Sequence, residues 1–175
     1  MAQNKIWVFA CIALIIACRQ QTEVHEPENS ALIPKMESWE SKISVSTEGR
    51  LNVVVSAGHT FQYPEDPIIN FEDEISVDFY DQKNGHISNL IANTATLNKQ
   101  TNDMYAFGNI FVKTDSGLVL LTTSLFFDSQ QEWIYTKDSV EFRTTKDTLW
   151  GVGFESDVNL ENWKIEMPTG KFKQD

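Results

Sequence analysis

The sequence predicts an all-β protein built of stacked antiparallel strands. Three observations carry that reading. The stretch Ile91 to Thr145 is self-similar: shifted by about 30 residues it lies on itself without a gap, Ile91 on Leu121, Ala95 on Leu125, Leu97 on Phe127, Tyr105 on Tyr135, Ile110 on Val140 and Val112 on Phe142. Within each unit apolar and polar residues alternate, the period of a half-buried strand. After the N-terminal apolar run, no window of about ten residues or more carries a helical period. Each unit reads as two strands and two turns, which cannot bury an apolar face alone and must stack on a neighbour.

The flanking segments extend the pattern. Ile43 and Val45 alternate with polar residues, Glu48-Gly49 turns the chain, and Leu51, Val53, Val55 and Ala57 alternate again, a hairpin by turn and by period. Phe61 to Pro67 carries two prolines and reads as a strand end or bulge. Ile75, Val77 and Phe79 form a strand that ends at the Asn84-Gly85 turn. Asp115-Ser116-Gly117 separates Val112 from Leu118. A degenerate third unit follows: a strand at Leu149 to Phe154, then Val158 to Ile165 and Lys171 to Lys173, interrupted by Pro168 and Gly170. Gly49 belongs to a turn; Gly108, Gly151 and Gly153, inside strands, mark bulges or close backbone approach.

The chain has 175 residues, enough for one domain with a real core. Its formal charge is −11 and its aromatic content 11%, a folded acidic protein. That balance argues against nucleic acid as a partner and against a polybasic membrane surface.

Residues 1–17 read as a leader. Lys5 is a short basic start, and Ile6 to Ala17 is an apolar run too short to span a bilayer comfortably. It ends in Ile15-Ile16-Ala17-Cys18, which matches the bacterial lipobox and implies cleavage before Cys18 and its lipidation. The plainer alternative is an uncleaved anchor with an ordinary cysteine. Cys11 lies in the same run, so no disulfide framework or cysteine zinc site is expected. Loss of Lys5 would leave 13 basic against 25 acidic residues, a formal charge of −12. Residues 18–37 are polar, carry Pro27 and Pro34 and read as a tether; residues 38–175 are the globular domain.

Candidate catalytic and metal sites are sparse. His25, His59 and His86 are far apart and lack ligand spacing. Glu72-Asp73-Glu74, with Asp66 and Asp78, could hold calcium or supply a glycosidase's carboxylates, but such a run is more often a solvated loop before a strand. No nucleophile elbow, P-loop or H-E-x-x-H motif occurs. No catalytic residue, metal or cofactor is expected. Trp133, Trp150 and Trp163 could line a groove or cap its mouth; capping is the commoner role.

Several blocks in order resemble the LptC family of periplasmic lipopolysaccharide-export proteins, within the wider OstA/LptA-like group. They are Val45-Ser46-Thr47-Glu48-Gly49-Arg50-Leu51, the strand Ile75 to Tyr80, Ala92-Asn93-Thr94-Ala95 through Met104 to Ile110, and Leu121-Thr122-Thr123 through Leu149 to Phe154. The resemblance implies an open twisted β-jellyroll whose apolar groove carries lipid A acyl chains. It implies partners: lipopolysaccharide, an inner-membrane LptB/LptF/LptG-type ABC transporter, an LptA-like periplasmic jellyroll, and the membrane through Cys18. It also implies docking edges, Ile43 and Val45 at one end and Trp163 and Ile165 (within Trp163 to Phe172) at the other. Groove candidates by strand parity are Val53, Val55, Ile75, Val77, Phe79, Ile91, Ala95, Leu97, Ile110, Val112, Leu121, Leu125, Phe127, Val140 and Phe142. A dry core would look the same in sequence. The resemblance implies the inner membrane as the address; the family's enteric members carry a transmembrane anchor where this chain shows a lipobox followed by Arg19, which leaves the outer membrane open. The competing reading is a carbohydrate-binding or carbohydrate-active β-sandwich lipoprotein on the cell surface.

Overall fold

The computed structural model describes residues 33–169. They form nine antiparallel strands in a meander, the sheet order being the chain order. The strands are β1 (Met36–Thr47), β2 (Arg50–Gln62), β3 (Ile68–Tyr80), β4 (His86–Asn98), β5 (Met104–Thr114), β6 (Val119–Asp128), β7 (Trp133–Arg143), β8 (Thr148–Asp157) and β9 (Lys164–Pro168). The sheet is unclosed, and β1 and β9 are its edges. No helix occurs among the described residues. The expected leader, Cys18, most of the tether and the strand expected at Lys171 to Lys173 lie outside the described residues.

The turns form for local reasons. At the β1–β2 hairpin Glu48 has φ 53° and Gly49 φ 78°, the left-handed pair of a two-residue turn whose twist matches the strands. Between β3 and β4, Asp81 Oδ1 accepts the amides of Lys83 (2.7 Å) and Gly85 (2.8 Å). Those two amide dipoles hold the Asp81 carboxyl below its ordinary value.

β2, β3 and β4 are 13 residues long, well beyond the usual strand. They do not run straight. Successive pairs slip register near mid-strand, at Ser56/His59, Glu72/Ile75, Ile91/Thr94, Phe107/Ile110, Leu121/Phe126 and Thr136/Ser139. β-Bulges bend a strand and raise its twist. Lying side by side, these make a fold line along which the sheet doubles over into two facing leaves. The rings of Phe79 on β3 and Phe127 on β6 meet across the gap at 5.3 Å, although those strands are not neighbours.

The fold line corrects the strand parity. An odd bulge residue shifts every following side chain to the other face. On β4 the inward residues are Leu90 and Ala92, then Ala95 and Leu97; on β6 they are Leu120 and Thr122, then Leu125 and Phe127. Ile91 and Leu121, expected inside, therefore point outward: Ile91 is 47% exposed and Leu121 is only half-buried. The acidic run is corrected too. Asp73 (φ 60°) and Glu74 (φ 54°) form the bulge within β3, not a loop before a strand. Val158 to Trp163, expected as strand, is an irregular connection from β8 to β9.

The parity shift makes a direct prediction. Truncating inward Leu90 to Ala should cost about 2–5 kcal/mol in chemical denaturation. Ile91→Ser, on the adjacent outward position, should stay within about 0.5 kcal/mol of the unchanged protein. Equal losses at both positions would contradict the bulged register.

Candidate functional site

The space between the leaves is the candidate site. Thirteen of the fifteen groove candidates, all except Ile91 and Leu121, belong to one contiguous buried cluster. Sequence reasoning missed Leu90, Ala92, Met104, Leu120, Ile134 and Leu160, which belong to it as well. Part of that was legible: the repeat maps Met104 onto Ile134, and alternation starting from Ser88 marks Leu90 and Ala92. Leu160 lies outside any periodic segment, so nothing in the pattern pointed to it.

The interior is closely packed. A fully apolar void of about 10 Å³ runs among Val77, Phe79, Leu90, Met104 and Phe127. That is at the roughly 10–15 Å³ limit for one water, so a larger guest needs the leaves to part. The side opposite the fold line is looser, because there the hairpins of the two leaves face each other with no backbone link. A cavity of about 290 Å³ opens on that flank. Its floor is Val53, Phe79, Ile87, Phe127 and Val158, and Arg50, Asn52, Gln82 and Glu132 are among its polar rim. An apolar floor under a polar rim suits an amphipathic molecule.

Polar groups within the leaves are satisfied; among the described residues no buried side-chain N or O lacks a partner. Thr122 Oγ1 donates to the Ser139 carbonyl at 3.1 Å. Ser88, fully buried on β4, donates across the gap to the Val158 carbonyl at 3.0 Å. At the fold line, where β6 and β7 lose their ladder, Asp138 Oδ2 takes the hydroxyls of Thr123 (2.7 Å) and Ser124 (2.6 Å). Those two hydrogen bonds, Ser124's first, hold the Asp138 carboxyl below its ordinary value.

The two edges differ. β1 leaves one side of a 12-residue strand unpaired, with Ile43 and Val45 turned toward the core. β9 has only five residues and ends in Pro168. Ile165 lies on β9 and packs on the core, but Trp163 is not on an edge strand. Its ring rests 4.8 Å from that of Phe142, because the β8–β9 connection folds inward there. Gly151 lets β9 approach β8: a Cβ there would sit 2.8 Å from the Met167 carbonyl and against Ile165. Gly153 has φ 77° with Glu166 beside it, and Gly108 has φ 73° with the Asn93 amide 2.7 Å from where its Cβ would be.

On the outer face the aromatics of β5, β6 and β7 form no flat platform, whereas Trp39, His59 and Phe61 on β1 and β2 stack at 26° and 28°. Tyr105 meets Phe107 at 68° and Phe126 at 57°, and Phe126 meets Tyr135 at 40°. Trp150 is 48% exposed on the outer face, and Trp133 is half-buried. His59 bridges three strands: Nε2 lies 3.0 Å from Glu37 and Nδ1 3.7 Å from Glu72, with Trp39 stacked on the ring at 5.4 Å. His86 lies 2.9 Å from Asp115. No group of three or more potential metal ligands occurs among the described residues.

An unclosed antiparallel meander, doubled over a continuous apolar interior and leaving a strand edge at each end, is an open β-jellyroll. Its interior offers apolar surface and few polar groups, so the class is defined by what can lie between its leaves. The chain belongs to the family described as lipopolysaccharide-assembly, LptC-related, whose family model matches residues 6–166. That membership places its role in lipopolysaccharide transport, a periplasmic process associated with the inner membrane. A search of curated proteins found no match.

The Asp138 tie sets a pH dependence. A depressed folded-state pKa contributes stability that is present above the ordinary value of 3.8 and is lost as pH falls below it. Thermal unfolding followed from pH 7 down to pH about 3 should show a falling midpoint, and Asp138→Asn should flatten part of that fall. An identical pH slope in the variant would assign the acid sensitivity to other carboxylates.

Proposed function

We propose that this chain is a membrane-tethered relay that takes the acyl chains of lipid A between its two leaves and hands them on. The observation that carries the reading is the single apolar interior that spans both leaves and borders a flank where no backbone joins them. Lipid would enter through that flank, and its admission exchanges apolar contacts between leaves for apolar contacts with acyl chains, so the hydrophobic cost of opening is largely returned. The groove residues would be the thirteen inward candidates with Leu90, Met104, Leu120 and Ile134. Ile91 and Leu121 are left out of it by their outward positions.

In this reading the lipid arrives from an LptB/LptF/LptG-type transporter, whose ATP hydrolysis supplies the energy, and leaves toward an LptA-like jellyroll. β1 at one end and β9 at the other offer backbone for strand addition by those partners. The five-residue β9 makes the second edge the more easily displaced. Lipidated Cys18 and the tether would hold the domain near the inner membrane. The chemistry is non-covalent throughout. A surface sugar-binding role finds less support, because the aromatic rungs of β5, β6 and β7 are tilted against one another and the stacked outer set of Trp39, His59 and Phe61 contains a single tryptophan. A net charge of −11 repels lipid phosphates, so the grip would be on acyl chains and binding should change little between low and high salt.

In-cell photocrosslinking tests the proposal. A photoreactive residue at Val112 or Phe142 should give an ATP-dependent lipopolysaccharide adduct. The same residue at Phe111, Glu141 or Ile91 should give none. Absence of any adduct at the inward positions, in folded protein beside an active transporter, would refute the transport reading.

A further inference from the structure

The two leaves are offset, and residues 158–163 fill the space that the offset leaves. Phe79 on β3 faces Phe127 on β6, and Ser88 on β4 reaches Val158 just past the end of β8. The last strands of one leaf therefore extend beyond the other. The β8–β9 connection crosses back over them as a strap. Leu160 is fully buried within the core cluster, Val158 packs against it, and Trp163 lies on Phe142.

The strap is built as a self-contained unit. The Asp157 carbonyl accepts the Leu160 amide at 3.1 Å. Asp157 Oδ1 accepts the Glu161 amide at 2.9 Å, and Oδ2 accepts the Asn162 side chain at 2.6 Å. These bonds need nothing from the opposite leaf. Leu160 sits at φ 57°, a left-handed conformation unfavourable for a leucine, and is held there by the turn and by its own burial. Among the strap's hydrogen bonds, the one that crosses to the facing leaf is Ser88 Oγ to the Val158 carbonyl. Val158 and Asn159 also form one wall of the 290 Å³ cavity on the open flank. An apolar chain lodged in that cavity presses directly on the strap.

We propose that the strap is a gate within the groove: Leu160, with Val158 and Trp163, occupies the far end of the acyl-chain path, and the arriving lipid displaces it by breaking the Ser88 latch. The inference rests on the groove reading above and adds how the empty groove is kept shut. Displacement replaces one apolar occupant by another and leaves the Asp157 turn intact, so the gate can swing without local unfolding. It also hides an apolar end that would otherwise face water beside a free sheet edge.

A closed gate lowers apparent affinity in proportion to the rarity of the open state, and that gives the test. Lipid A would displace a fluorescent fatty-acid probe from the full-length protein in detergent, with thermal stability measured in parallel. Leu160→Ala should bind lipid A about fivefold more tightly while melting earlier, since the occupant is gone and the closed state is weakened. Ser88→Ala loses the latch and leaves the Val158 carbonyl without that donor, so it should bind about twofold more tightly and melt modestly earlier, by less than Leu160→Ala. Tighter binding in folded Ser88→Ala supports the gate even where Leu160→Ala is too unstable to assay. Unchanged or weaker binding in folded Ser88→Ala, or in both variants, overturns the gate while the groove stands. Failure of the unmodified protein to bind lipid A overturns the groove and the gate together.

Discussion

The structure depends on the line of bulges that crosses the sheet from β2 to β8. A nine-stranded meander left flat would expose one apolar face along its whole length. Bending every long strand at its middle brings that face against itself, and burial of Phe71, Ile110, Leu120, Phe142 and their neighbours follows. Fully burying such side chains contributes roughly 1.5–3 kcal/mol each, which far exceeds the loss of one or two ladder bonds per bulge. Left-handed residues are placed where the bend needs them, at Asp73 and Glu74 on β3 and at Gly108 and Asn109 on β5. Asp138 then ties the gap between β6 and β7 with two short hydroxyl bonds.

The same bend creates the candidate site. Folding along one line closes one flank with covalent backbone and leaves the other to facing hairpins, so the molecule has a hinge side and an open side. It also leaves the sheet unclosed, with a long edge at β1 and a short one at β9. A closed barrel of the same composition would have neither feature. Transport of an apolar guest needs both, a lateral way in and ends onto which further groove can be added. The close packing of the interior explains why such a protein can be stable when empty. The apolar surface is covered by the opposing leaf.

Family membership and the physical reading agree at the level of an open jellyroll with an apolar interior. They bear on different parts of the chain. The family match runs from residue 6 to residue 166. The interior, the flank and the strap are properties of residues 33–169.

Alternation and the 30-residue repeat determined by themselves that the chain is all-β, that it turns at Glu48-Gly49, Asn84-Gly85 and Asp115-Ser116-Gly117, and that Val53, Val55, Ile75, Val77, Phe79, Ile110, Val112, Val140 and Phe142 are buried, because those signals are local in sequence. The resemblance in the sequence blocks supplied the word jellyroll. The side on which Ile91 and Leu121 lie was settled by tertiary structure, since a single bulge residue reverses a strand's faces and leaves no trace in composition. The acidic run of β3 became a bend rather than a loop for the same reason. Leu160 reached the interior, and the 38% exposed Trp163 reached Phe142, only because the offset between leaves left room for them, a relation between segments some 70 residues apart such as Ser88 and Val158. Period and turn chemistry are written along the chain; the facing of leaves is a long-range packing outcome, decided by which bends bury the most apolar surface.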